Sequence, residues 1–317
     1  MALAEEATVP VDEYFTEMIR GTEVAAAPGG TEEERQALSE AFLREYVGDA
    51  LAWDTTGITV EDTVIDGPHG PIPLRLYRPE GPVTGAVLWA HGGGFRHGDL
   101  DMFEGHVVSV ELARRAGAAV ASVDYRLADG VLRYPVPIDD VHAAWNWWCA
   151  QPLPEGAPIA IGGASAGAAL ALSTALRTRD TGGRPADAIL LAYPFTHYPN
   201  PTLSPEMSVE MNALQFRFTP QAIEDMVRNY VGRISDVPPD ALPGAARLDG
   251  LPRTRILVSE YDDLRASGEM LERQLQEVGV PVESYVARGM THGHLNHSPN
   301  LAEVAQSLDF LAKGVHG

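Results

Sequence analysis

From residue 86 onward the chain alternates short apolar runs with longer stretches of helical periodicity, and Gly and Pro mark the breaks between them. The strand candidates are residues 86–90, 118–123, 159–161, 188–192, 255–258 and 282–286. The helix candidates between and after them are roughly 103–116, 139–150, 166–179, 269–278 and 301–312. A strand, a helix and a further strand in succession require a crossover connection. Repeated crossovers give an α/β architecture, a mainly parallel sheet with helices on both faces. One segment interrupts the alternation. Residues 197–239 are rich in Pro and Met and hold a single helix-like run near 221–231, so they read as an insertion over one end of the sheet. The first 50 residues are polar and helix-like. Thr31 followed by Glu32, Glu33 and Glu34 reads as an N-cap with acidic first-turn residues, and Leu38, Phe42 and Leu43 then recur at helical spacing. This N-terminal stretch joins the insertion as a lid.

Composition narrows the function. The chain has 317 residues, 45% of them hydrophobic and 21% charged, which is enough apolar material for a sizeable core. Its net charge of −21 repels phosphate backbones and anionic membrane surfaces and argues against nucleic-acid binding as the main activity. Cys149 is the one cysteine, so no intramolecular disulfide forms, and nothing around it suggests a lowered pKa. Residues 1–6 lack the basic and apolar regions of a secretory signal, and no apolar run is long enough to span a bilayer. A cytoplasmic protein without stable membrane insertion is the expectation.

Three motifs carry chemistry. Gly163-Ala164-Ser165-Ala166-Gly167 lies between a strand candidate and an Ala/Leu-rich helix candidate. A serine on such a tight turn is pushed out above the sheet edge at a helix N-terminus. The glycines there avoid collision with neighbouring backbone. His91-Gly92-Gly93-Gly94-Phe95 directly follows the strand candidate at 86–90. Its glycines let backbone N–H groups aim into a concavity, as stabilisation of a tetrahedral oxyanion requires; the Gly-Lys-Ser/Thr of a phosphate loop is absent. Gly289-Met290-Thr291-His292-Gly293-His294 follows the last strand candidate and puts His292 on a loop able to reach over the sheet. A hydrolytic serine needs such an imidazole to take its proton and return it to the leaving group. The i, i+2, i+5 spacing of His292, His294 and His297 does not match a zinc hydrolase helix, and no metal site is assigned. His294 and His297 read as pocket-lining or surface residues. The acid that would orient the imidazole lies in Glu260-Tyr261-Asp262-Asp263, and spacing alone does not choose among Glu260, Asp262 and Asp263. The chain order serine, acid, histidine is that of α/β-hydrolases.

Taken together, these motifs and the segments Asp124-Tyr125-Arg126-Leu127-Ala128 and Tyr261-Asp262-Asp263-Leu264-Arg265 make the chain resemble the hormone-sensitive-lipase-like family of α/β-hydrolase esterases, over about residues 64–310. The resemblance implies an eight-stranded, mostly parallel sheet flanked by helices, under a helical cap. The division that follows is residues 1–50 as the N-terminal part of the cap, 51–196 as the first part of the hydrolase core, 197–239 as the cap insertion and 240–317 as the second part of the core. It further implies Ser165 as nucleophile, Asp262 as acid and His292 as base, with the N–H groups of Gly93, Gly94 and Ala166 as oxyanion donors and no metal or organic cofactor. The expected reaction is hydrolysis of short- to medium-chain acyl esters through an acyl-enzyme; the partner is a small-molecule ester, and a homodimer is the assembly the family suggests. A lactone, carbamate or amide hydrolase with the same triad is the alternative. A non-catalytic small-ligand-binding protein on this fold is the alternative of another class. The chain departs from the family at Ala164, where an acidic residue often stands before the serine, and at Asp129-Gly130, where Pro-Glu usually follows Tyr-Arg-Leu-Ala. It also departs at Asp263, commonly Pro, and at His294, commonly Phe. His294 is expected to add a polar group near the base. Met207, Met211, Leu214, Phe216 and Phe218 either line an apolar pocket or pack the insertion onto the body. Trp145, Trp147 and Trp148 read as packing residues.

Overall fold

The computed structural model describes residues 11–25, 31–211, 214 and 217–316. Phe216, the side chain of Leu43 and the segment 1–6 lie outside the described residues.

Eight strands form one sheet. They are β1 (Ile58–Gly67), β2 (Gly70–Pro79), β3 (Gly85–Ala90), β4 (Ala118–Val123), β5 (Ile159–Ala164), β6 (Ala188–Ala192), β7 (Arg253–Tyr261) and β8 (Val282–Thr291), in the spatial order β1-β2-β4-β3-β5-β6-β7-β8. The pairs from β4 through β3, β5, β6 and β7 to β8 are parallel, while β1, β2 and β4 pair antiparallel. The fold is therefore the expected one. The six strands β3 to β8 match the apolar runs in the sequence; β3, β4, β5 and β6 are buried throughout because helices cover both of their faces, while β8 is the partly exposed edge. In β3, Ala86, Leu88 and Ala90 enter one core cluster and Val87 and Trp89 the other. Helices α4 (Val136–Cys149), α5 (Ala166–Thr181) and α8 (Arg265–Glu277) pack on the first face, α3 (His106–Ala116) and α9 (Ala302–Lys313) on the second. Trp145 and Trp148 are wholly inside the first cluster and Trp147 packs against it, as a packing role requires.

The hairpin β1–β2 is not visible as apolar runs, for a physical reason. It is an edge ribbon with one exposed side, so Val60 and Val64 of β1 face solvent while Ile58 and Ile65 are buried. In β2 the buried residues Ile72, Leu74 and Leu76 alternate with Pro71, Pro73 and Arg75.

At the N-terminus α1 (Glu13–Ala25) and α2 (Glu32–Val47) pack on each other. Thr31 is the N-cap read from the sequence: Glu34 N–H donates to its Oγ1 at 3.2 Å, and Thr31 N–H donates back to Glu34 Oε2 at 2.7 Å. Phe15 anchors α1 in the second core cluster, and Asp12 N–H donates to Gly289 O at 3.0 Å beside the end of β8. In the insertion, α6 (Pro205–Met211) precedes α7 (Pro220–Val231). Thr219 caps α7 by accepting from Ala222 N–H, with Pro220 at the first helical position. Ile223, Val227 and Tyr230 of α7 face the body. The Tyr230 ring stacks on Phe95 with centroids 3.9 Å apart, and Asn229 Nδ2 donates to Ala128 O at 2.7 Å. Met211 is buried, whereas Met207 is half-buried. No helix among the described residues is long and apolar enough to cross a membrane.

Tyr230 is fully buried against the glycine loop, so truncating it leaves a large cavity. Tyr230→Ala is expected to lower the unfolding free energy by about 3–4 kcal/mol, and Tyr230→Phe by less than about 1 kcal/mol, in urea denaturation with unchanged slope.

Candidate active site

The site is built at the carboxyl edge of the sheet, beginning with the turn from β5 into α5. Ser165 occupies that turn with φ 52° and ψ −114°, a left-handed backbone that costs a non-glycine residue about 1–3 kcal/mol. Its neighbours leave no room for side chains. A Cβ on Gly163 would lie 2.5 Å from the Gly167 carbonyl, and one on Gly167 would lie 2.2 Å from Ala90 O. The turn is tied to β6 by Ser165 N–H donating to Ala192 O at 2.8 Å. β5 extends to Ala164, three residues past its apolar run. Gly162 and Gly163 are strand residues there because Leu190 O and Ala90 O pass too close for a side chain.

β7 and β8 also outrun their apolar segments, and the added residues bring the other functional side chains to the same edge. His292 follows β8 directly and Gly293 turns the chain at φ 75°. His292 Nε2 lies 2.9 Å from Ser165 Oγ, and His292 Nδ1 lies 2.6 Å from Asp262 Oδ2. The Asp262 side chain is fully buried and its Oδ1 accepts the Leu264 N–H at 2.8 Å, which fixes the carboxylate. An ionised Asp262 accepts a hydrogen bond from Nδ1–H, which leaves Nε2 to accept one from the serine hydroxyl. Burial disfavours a charged imidazole. Asp262, with help from Glu104 and Asp263, outweighs that, and the pKa of His292 lies above its ordinary value. The imidazole is flanked edge to face by Tyr193 at 4.9 Å and Phe218 at 4.7 Å.

The three candidate acids have different partners. Glu260 accepts from Arg288 at 2.6 Å and from Gly289 N–H at 2.8 Å, pinning the end of β8. Asp263 holds the Arg217 guanidinium at 2.7 Å and the Phe218 N–H at 2.8 Å, fastening the insertion beside the site. Only Asp262 of the three is hydrogen-bonded to the imidazole.

Opposite the serine, the loop after β3 folds tightly. Gly93 has φ 112°, and a Cβ there would lie 2.0 Å from His97 O; Gly94 has φ 61°. The N–H groups of Gly93, Gly94 and Ala166 donate to no acceptor among the described residues. Tyr125 supports the loop by donating its hydroxyl to His91 O at 2.9 Å, and its ring stacks on His91. Arg126 pairs with the buried Asp140, an organising contact behind the sheet end. Ser165, His292, Gly93 and Gly94 open onto a cavity of about 1330 Å³, whose apolar lining includes Met18, Phe103, Leu214, Phe218 and Met226. Leu214 and Phe218 thus line the pocket; Met207 and Met211 do not.

Other expectations need correction. His294 does not line the cavity beside His292. It is fully buried between Ser259 Oγ at 2.9 Å and Ser307 Oγ at 2.9 Å, because Gly293 turns the chain between the two histidines. Burial pulls its pKa down to about 3. His297 does line the cavity and is hydrogen-bonded to Tyr14 Oη at 3.1 Å. Cys149 is half-buried, and desolvation raises its thiol to about 11. Sequence reasoning missed Glu104, Tyr193 and Asn296, which surround the site from below. Glu104 sits in a stretch read simply as helix, so nothing in the local pattern marks it.

This geometry accompanies a clear kinship. The chain belongs to the alpha/beta hydrolase fold family, whose sequence profile matches residues 87–296. It is 38% identical over 254 residues to esterase LipI of Mycobacterium tuberculosis, covering 76% of each chain. It is 36% identical over 261 residues to carboxylesterase NlhH of the same organism, over 77% of this chain and 79% of that one. A hyperthermophilic esterase from the archaeon Pyrobaculum calidifontis superposes with a TM-score of 0.71 at 34% identity, over 81% of this chain and 85% of that one.

The hydrogen-bond chain sets a measurable titration. An NMR titration of His292 is expected to give a midpoint above that of a free imidazole, and Asp262→Asn to lower it by removing the adjacent negative charge.

Proposed function

We propose that this protein is a serine carboxylesterase in which Ser165 is the nucleophile, His292 the base and Asp262 the orienting acid. The observation that carries the reading is the unbroken relay from Asp262 through His292 to Ser165, at 2.6 and 2.9 Å, on the wall of an apolar cavity. The names of the relatives, esterase and carboxylesterase, support the same reaction class.

In the proposed cycle, Ser165 Oγ attacks the ester carbonyl carbon while His292 Nε2 takes the hydroxyl proton. The carbonyl π pair moves onto oxygen, and the oxyanion is held by the N–H groups of Gly93, Gly94 and Ala166 at the start of α5, where the helix dipole favours negative charge. As the intermediate collapses, the C–O bond to the alcohol breaks and His292 gives its proton to the departing oxygen. Water then attacks the acyl-enzyme, His292 takes one of its protons, and the acid leaves as that proton returns to Ser165. Segments 1–50 and 197–239 act as the cap in this reading. Phe218 and Leu214 from the insertion, with Met18 from α1, face the cavity and set the size of the acyl or alcohol group. Short- to medium-chain esters are the substrate class.

Ser165→Ala is expected to lower kcat for p-nitrophenyl butyrate by at least about 10³-fold while the thermal midpoint holds. Near wild-type turnover by that variant removes the nucleophile assignment. Asp262→Asn is expected to lose activity far more than Glu260→Gln, whose role is to hold Arg288 and Gly289. Because the base must be neutral, kcat/KM is expected to rise with pH through a midpoint above the ordinary imidazole value. A panel of p-nitrophenyl esters of increasing length, run beside lactones and amides, reports the pocket size and the reaction class together.

A further inference from the structure

The cycle above leaves unused the buried carboxylate of Glu104. Glu104 precedes α3 and is 2% exposed, at the floor of the cavity. Its Oε2 accepts the Gly92 N–H at 2.8 Å, and its Oε1 accepts the Tyr193 hydroxyl at 2.5 Å and Asn296 Nδ2 at 2.7 Å. Each partner belongs to a different part of the site. Gly92 begins the loop whose N–H groups face the serine. Tyr193 follows β6, has φ 35° and packs its ring against His292. Asn296 lies four residues beyond His292. The backbone of Glu104 closes the circuit, since its N–H donates to Asn296 Oδ1 at 3.3 Å. Three donors converge on one side chain, an arrangement that suits a carboxylate acceptor. Residue 164, next to the serine, is Ala and offers no polar side chain.

We propose that Glu104 is a positioning residue, a carboxylate strut that fixes the glycine loop, Tyr193 and the His292 loop relative to one another and sets the charge behind the imidazole. This rests on the esterase reading. Removing Gly92 from Glu104 frees the loop to move, and oxyanion donors displaced by a fraction of an ångström lose much of their value. The charged and titratable groups around His292 are Asp262, Asp263, Glu104, Tyr193 and His294, and Glu104 is one of the three carboxylates that raise the imidazole's pKa. Burial in turn pushes the pKa of Glu104 up, while its three donors oppose that rise.

The test is Glu104→Gln in the full-length protein with p-nitrophenyl butyrate. Gln keeps the shape but presents an NH₂ where one acceptor oxygen stood and removes the charge. The expected result is a fall in kcat of about 10-fold or more at a KM within about 3-fold, with the acid limb of kcat/KM moved to lower pH. Glu104→Asp is expected to keep the acid limb near its wild-type position, because it keeps the charge. If Glu104→Gln leaves both kcat and the acid limb unchanged, the proposal is overturned. It is also overturned if kcat falls without any shift of the limb, which is the mark of a merely structural group. Should Glu104→Gln fail to fold, Tyr193→Phe carries the test: it deletes one strut contact, and an unchanged kcat overturns the proposal. A wild type without esterase activity, or a fully active Ser165→Ala, instead defeats the underlying reading.

Discussion

Everything at the site depends on how closely the turn between β5 and α5 is allowed to approach the end of β3. Ser165 stands above the sheet because its backbone is held in a left-handed conformation, and that conformation persists because Gly163 and Gly167 let the turn settle against the carbonyls of Ala90 and His91. The same approach sets the serine hydroxyl facing the loop that starts at His91. A larger residue at either glycine would push the turn outward, and the 2.9 Å contact with His292 would be the first to go. Packing against backbone therefore decides the reach of the serine, and the polar contacts are built on that spacing.

Charge is distributed around this frame with one duty per acid. The dipeptide Asp262-Asp263 and the nearby Glu260 serve three different elements: the imidazole, the insertion and the end of β8. In each case a carboxylate takes a backbone N–H as well as a side-chain partner or donor, which fixes its direction and not only its presence. Such doubled contacts restrict loops that would otherwise hold only through exposed turns.

Much of this was legible in the sequence, and the limits have physical causes. The central strands announce themselves as apolar runs because both their faces are covered. The edge hairpin does not, since Val60 and Val64 face solvent and Pro71, Pro73 and Arg75 take the outward places between the buried residues of β2. Ser165 and His292 stand out because tight turns need glycine and glycine patterns are local. Asp262 could not be chosen over Asp263 and Glu260 on spacing, because the choice is made by contacts across 30 residues or more, with His292 on one side and Arg217 on the other. Glu104 leaves no mark at all: a single acid before a helix looks like an ordinary solvated charge until the sheet folds three loops around it.

The adjacency of Asp262 and Asp263 has a mechanical consequence. One side chain steadies the His292 ring, and the next fastens Arg217 and Phe218, whose ring packs edge to face with that same imidazole. Any guest that wedges Phe218 aside tugs on the peptide unit shared by both acids. Phe218 and the His292 ring are thus held by two side chains on neighbouring residues of the chain.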